Sequence, residues 1–387
     1  MSERGFWYQT ANRLASVPFR LQGAPAFQTP KRVVILQPGW LSQVMLTTPL
    51  LAVLSDAFPE ARFDWAVSRW ARPAIATNPR LNRLIELNQV GQAWPGWGEI
   101  RAVAARLKQE NYDTCFIPHR SRWLGLAAWL AGIPQRIGLD VDGAGFAHTI
   151  RVQPPAGSAT YHETTLYLLL AKALGIEKES GMEFYPSDQA RTTITQRLVD
   201  EWGWQGEVPL VLFHPGGGVN PDKEHPEIRW PVERFALLGN HLKREYEATI
   251  LVLGSAGEEK RAAAVAGLMS GRVHDLSGKL SLNELGALGE VASLYVGNDT
   301  GPTHIAAAVG CPTLVIYGPS SVGRSRPFVK QGHVMALPAL REAMGDDDHF
   351  SWSANLNSED AIVMADQLLR TSIAELQRSS LSSLRSE

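Results

Sequence analysis

The sequence predicts an α/β protein of two domains, each built on a parallel sheet. Three observations carry this. Short apolar runs alternate with longer segments of helical periodicity, and the alternation occurs twice. The chain has 387 residues, which suits two domains of ordinary size. Several strands run into polar, glycine-rich turns that open helices, as at Gly254-Ser255-Ala256-Gly257 and Gly297-Asn298-Asp299-Thr300-Gly301. Repeated βα units imply parallel sheets with right-handed crossovers and covered faces.

In the first half, residues 32–36 read as a buried strand, 44–57 as a helix and 62–67 as a second strand. A helix around 99–108 precedes a strand at 114–117; 122–131 and 164–174 are again helical. In the second half, strand 209–213 leads to helix 232–244, then strand 249–253 and helix 258–269. Strand 294–296, helix 302–309 and strand 313–317 follow. The join falls between Tyr185 and Gly206, around a helix rich in Thr, Gln and Arg. The expected division is an extension at 1–30, a first domain at 31–195, a second at 196–356, a last helix within 357–372 and a disordered tail at 373–387. The two similar halves read as Rossmann-like domains facing a central cleft.

Composition excludes several classes. A formal net charge of −2 gives no sign of a nucleic-acid binder. Cys115 and Cys311 lie far apart in apolar contexts and read as buried free thiols of a reducing compartment. No apolar run is long enough to span a bilayer, and no signal peptide is evident, so a cytoplasmic location is expected. Near the start, Phe6, Trp7 and Tyr8 are interspersed with Arg4, Arg13 and Arg20. Two readings stay open: a peripheral contact with the inner face of an anionic membrane, or an extension lying on its own domain.

The most informative stretch runs from Val296 through Asp299-Thr300-Gly301-Pro302 to His304 and Ala308. A strand-to-helix turn here places backbone N–H groups and a helix N-terminus at the carboxyl edge of a sheet, where anions bind. The plainer reading is helix capping by Asp299 or Thr300.

Asp299-Thr300-Gly301-Pro302-x-His304-x-Ala306-Ala307-Ala308 resembles the donor-site motif of glycosyltransferase family 9, the lipopolysaccharide heptosyltransferases. The resemblance extends over roughly residues 33–369 and includes Gly39 to Leu51, Asn78-Pro79, Arg229-Trp230-Pro231 with Arg234-Phe235, and Gly318-Pro319-Ser320. It implies the GT-B architecture, with the last helix returning to the first domain. It implies an inverting, metal-independent transfer of a heptose-like sugar from a nucleotide diphosphate, ADP favoured, to a lipopolysaccharide-type or lipid-linked acceptor. No separate cofactor is expected.

Such a transfer must stabilise the leaving diphosphate, orient the donor sugar and take a proton from the acceptor hydroxyl. On the donor side, Gly216, Gly217 and Gly218 can bring amides close to phosphate, or form a plain surface loop. Neither G-x-x-x-x-G-K-[ST] nor G-x-G-x-x-G is present, which argues against P-loop and nicotinamide enzymes. By the resemblance, Arg229 offers a cation to the diphosphate, Glu259 (Glu258 as second choice) takes the ribose, and Leu280 lies at the base. Asp299, Thr300 and Gly301, with His304 behind them, then hold sugar hydroxyls and phosphate. Either glutamate also suits a first helical turn.

The acceptor side departs from the family. Its usual Gly-Asp pair is Ser42-Gln43, and an amide cannot serve as a base. Gln37 replaces an Arg and Ile228 a Lys. Three readings follow. Another residue serves as base, with His119 beside Arg120 and Arg122, or His162 beside Glu163, as candidates and Lys223 standing in for the lost Lys. Alternatively the chain binds a nucleotide sugar without turnover, as a partner in envelope glycan assembly. Or it transfers a different sugar. His225 and Asp222 lack the ordered ligand spacing of a metal hydrolase. Trp94 to Trp97 reads as sugar stacking or packing, and Asp346-Asp347-Asp348 as a solvated loop.

Overall fold

The computed structural model describes residues 26–87, 95–220, 224–330, 332–339, 350–352 and 358–383. The chain divides into two compact units, one ending at Ser180 and one starting at Gly181.

The first unit holds a six-stranded sheet: β1 (Arg32–Leu36), β2 (Arg62–Ser68), β3 (Arg83–Leu87), β4 (Thr114–Ile117), β5 (Gln135–Leu139) and β6 (Ile150–Val152). Every pairing is parallel, in the order β3-β2-β1-β4-β5-β6. Its helices are α1 (Leu41–Ala57), α2 (Trp97–Gln109), α3 (Arg122–Leu130) and α4 (Glu163–Lys172). Val44 to Leu54 of α1 are all buried, so this helix is apolar all round and lies in the interior. It also contains Pro49, which removes the N–H that would pair with Met45. Thr48 Oγ1 donates to that Met45 carbonyl at 2.7 Å and satisfies it. Thr164 Oγ1 ties α4 to α1 through the Leu46 carbonyl at 2.9 Å.

The second unit repeats the plan. Its strands are β7 (Leu210–His214), β8 (Thr249–Val252), β9 (His274–Asp275), β10 (Leu294–Asn298), β11 (Thr313–Ile316) and β12 (Val334–Leu337), all parallel in the order β12-β11-β10-β7-β8-β9. Its helices are α5 (Asp188–Asp200), α6 (Val232–Tyr246), α7 (Glu259–Leu268), α8 (Leu282–Val291), α9 (Gly301–Ala308), the short α10 (Val322–Ser325) and α11 (Ser358–Ser383). Phe213, Trp230 and Phe235 form edge-to-face contacts in its core, with ring centroids 5.0 and 5.6 Å apart.

Each sheet therefore has the doubly wound 3-2-1-4-5-6 order. Strand order reverses between β1 and β4 in the first unit and between β7 and β10 in the second. Ligands of open α/β sheets bind at such switch points, at the carboxyl ends of the strands.

The division differs from the expectation at three places. The boundary lies at 180/181, not 195, because α5 belongs to the second unit: Ser187 N–H donates to Asn283 Oδ1 at 3.0 Å and Arg191 pairs with Glu290 at 2.8 Å. The last helix groups with the second unit. Ala361, Ala365, Leu368 and Leu369 form an apolar stripe that completes the core under the second sheet, and His241 pairs with Asp366 at 2.9 Å. The segment expected to be a disordered tail continues that helix to Ser383. Both cysteines are buried and free, as expected. No described helix is long and apolar enough to cross a membrane.

Candidate functional site

In the second unit, the loop after β7 is shaped by its neighbours. Gly217 (φ 99°) and Gly218 (φ 72°) lie in the left-handed region. A Cβ at Gly217 would strike Thr300 Cγ2, and one at Gly218 the His225 carbonyl oxygen. A Cβ at Gly216 would strike the Glu258 carboxylate.

Glu258 is 8% exposed and caps the amides around it. Its carboxylate accepts the Gly217 N–H, the Ser255 N–H at 2.7 Å and the Ser255 hydroxyl at 2.8 Å. His214 Nε2 stands 3.8 Å away. Burial alone would raise the Glu258 pKa, but His214 and the Gly217 and Ser255 donors overcome it and bring it down to about 2. Burial pushes His214 down, with Glu258 pulling the other way. An internal anion thus sits where the glycine loop could have held a phosphate. Glu259, in contrast, is exposed at the first position of α7.

Arg229 is occupied as well. Its Nε donates to the Gly217 carbonyl at 2.8 Å and its Nη2 to Glu224 at 2.5 Å. Arg261 donates through Nε to the Pro215 carbonyl at 2.7 Å and through Nη2 to that of Trp230. Both cations brace the loop.

The turn after β10 is built differently. Thr300 is the N-cap residue of α9 but makes no side-chain cap; its hydroxyl pairs with Thr303 Oγ1 at 3.3 Å. Asp299 Oδ2 accepts the Ser325 hydroxyl at 2.8 Å. Neither side chain caps α9, so its first-turn amides carry partial positive charge uncompensated by a side chain. His304 is fully buried, with Nδ1 2.9 Å from the Thr300 carbonyl and Nε2 2.9 Å from the Ser325 carbonyl. It fastens the turn to the end of α10. Gly301 begins α9 itself. Leu280 is half-buried beside Ser281, which caps α8 by accepting the Glu284 N–H at 3.2 Å.

In the first unit, Gln43 Oε1 turns back to accept the Trp40 N–H at 3.0 Å, which caps the start of α1. Ser42 is half-buried one residue earlier. Gln37 is buried, its Nε2 3.2 Å from Thr47 Oγ1 and its Oε1 without a partner. Both candidate histidines spend a ring nitrogen on a backbone N–H, and His162 is the N-cap of α4 while Ser121 caps α3. His119 Nδ1 accepts the Ser121 N–H at 3.0 Å, and His162 Nδ1 accepts the Thr164 N–H at 3.2 Å. Burial, with Arg120 second, lowers the His119 pKa to about 4, so the ring is neutral at pH 7 with its proton on Nε2. Arg120 makes two 2.9 Å bonds to the Glu163 carboxylate. The Arg122 guanidinium lies 5.0 Å from the Trp123 ring centre.

The fold thus brings Gly216, Gly217, Gly218, Glu258, Arg229, Asp299 and Thr300 to one switch point, and Gln43, Gln37 and His119 to the carboxyl ends of β1 and β4. Lys223 and Asp222, like the acidic run at 346–348, lie outside the described residues. Trp97 is exposed at the start of α2. Among the described residues, no group of three His, Cys, Asp or Glu side chains could hold a metal. Sequence reasoning gave no role to Asn298, Arg261, His214 or Ser325. A polar Asn closing a buried apolar strand was the one signal available.

Residues 100–344 match the family described as "Glycosyltransferase family 9 (heptosyltransferase)". Lipopolysaccharide heptosyltransferase 2 of Escherichia coli K12 is 25% identical over 315 residues, covering 79% of this chain and 88% of the relative. A solved family 9 glycosyl transferase from Veillonella parvula superposes with a TM-score of 0.74 at 23% identity, covering 88% of this chain and 97% of that one. The structure titled E. coli ADP-heptose lps heptosyltransferase II gives 0.69 at 21% identity, covering 88% and 99%. With two doubly wound sheets and polar loops at their switch points, this chain is a GT-B protein that belongs to glycosyltransferase family 9, and its chemistry is glycosyl transfer.

Proposed function

We propose that this chain transfers heptose from ADP-heptose to a lipopolysaccharide-type acceptor, with inversion and without a metal. One observation supports the donor reading above others: the α9 N-terminus lies at the β7/β10 switch point, and neither Thr300 nor Asp299 caps it. The diphosphate sits against Thr300 and Gly301, where the helix dipole stabilises negative charge as the leaving group departs. The glycine loop shapes this pocket, with its Gly217 amide already taken by Glu258. Glu259 faces the ribose hydroxyls and Leu280 the base.

With no carboxylate at position 43, the acceptor hydroxyl gives its proton to solvent water as the new glycosidic bond forms and the bond to the ADP oxygen breaks. Gln43 keeps the hydrogen-bonding surface of that place but has no basic lone pair. His119 and His162 use their Nδ1 lone pairs on backbone N–H groups. Catalysis then rests on donor orientation and leaving-group stabilisation.

The experiment is to incubate the purified chain with ADP-heptose and heptose-deficient lipopolysaccharide, with and without EDTA. ADP release and the product's anomeric configuration are measured. Transfer with inversion, unaffected by EDTA, is expected. Tight ADP-heptose binding with no turnover on any acceptor would instead make the chain a non-catalytic binding partner; a chelator-sensitive rate would overturn metal independence.

A further inference from the structure

We infer that Asn298 is a positioning residue that sets the distance between the glycine loop and the α9 N-terminus, and so controls donor binding. This rests on the donor reading above.

Asn298 ends β10 and is 0% exposed. Its Oδ1 accepts the Trp230 N–H at 3.0 Å. Its Nδ2 donates to the Pro215 carbonyl at 3.0 Å and to the Gly216 carbonyl at 2.8 Å. Its own carbonyl accepts the Thr303 hydroxyl at 2.6 Å. The side-chain amide therefore joins two segments distant in sequence, the loop after β7 and the Arg229-Trp230-Pro231 segment, while the main-chain carbonyl of the same residue holds the first turn of α9. The partners fix which way the amide faces, because a donor edge meets two carbonyls and an acceptor edge meets one N–H.

Arg261 ties the same Pro215 carbonyl, and the Trp230 carbonyl, from α7. The two residues use different atoms of Trp230, so its main chain is held on both sides. Asn298 alone adds the connection to α9, where Asp299 and Thr300 follow it directly. A shift of the glycine loop relative to Thr300 is felt at once, since Gly217 lies close enough to Thr300 Cγ2 to exclude a Cβ.

Asn298→Asp keeps the size but sets a carboxylate oxygen against two carbonyls. Folding is followed by circular dichroism and melting temperature, and ADP affinity by calorimetric titration. Donor and acceptor KM values are measured separately. We expect a folded variant whose ADP Kd and donor KM both rise at least tenfold, with acceptor KM within twofold of the parent. A purely structural role would lower the melting temperature and leave the folded fraction's ADP Kd unchanged, and that result overturns the inference. Should Asn298→Asp not fold, Asn298→Ser makes the same comparison, since it loses the amide but leaves room for water. Should the parent chain itself bind no ADP, the donor reading fails separately. Hydrogen exchange at Gly216 to Gly218 then decides the positioning role: faster exchange in the variant supports it, and unchanged protection overturns it.

Discussion

Glu258→Gln tests the electrostatics of the glycine loop. The carboxylate is nearly buried and held at a pKa of about 2, against an ordinary value of 4.5. The folded state therefore binds the proton more weakly than the unfolded state, and the charged form favours folding. That contribution is complete above about pH 5 and is lost as pH falls through 4.5 towards 2. At about 1.4 kcal/mol per pKa unit, its full size is on the order of 3 kcal/mol, an upper figure because His214 shares the shift. Glutamine has no titration in this window. It also turns an N–H donor towards Gly217 or Ser255, a pH-independent loss of about 1–2 kcal/mol. Urea unfolding of parent and variant, followed by tryptophan fluorescence from pH 6 to pH 3, separates the two effects. The stability gap should be largest at pH 6 and narrow by about 2 kcal/mol at pH 3. A gap of constant size across this range would refute the idea that Glu258 is held ionised by its neighbours.

Two further substitutions probe the two switch points. Gln43→Asp restores a carboxylate at the start of α1, where the helix dipole favours it; kcat should rise on the order of 10- to 100-fold with donor KM unchanged. An unchanged kcat would show that position 43 does not meet the acceptor hydroxyl. Gly218→Ala forces a side chain into the left-handed region and against the His225 carbonyl oxygen, so calorimetry should record a loss of about 2–4 kcal/mol, and a melting temperature equal to the parent's would contradict that packing.

Strand and helix alternation was legible because parallel strands buried on both faces are written as continuous apolar runs, as in Arg32–Leu36 and Leu210–His214. Strand β5 escaped that signal because Gln135 and Arg136 sit within it, buried and bonded to Thr114, Ala147 and Ile133. The short β6 and β9 escaped it for want of length, and β12 is a sheet-edge strand only partly buried.

The sequence by itself determined the fold class, the βα alternation of the central elements and the turn from Asp299 to Gly301, because each follows from residue type and spacing along a few consecutive positions. Only the tertiary structure decided that Glu258 fills the glycine loop, that His119 and His162 spend Nδ1 on backbone N–H groups, that Arg229 braces a carbonyl, and that α11 covers the second sheet. These outcomes depend on which of several similar polar groups come within hydrogen-bond reach, and on where an apolar stripe finds uncovered core. Residues such as Asn298 and Trp230, 68 positions apart, meet only once the sheet has formed.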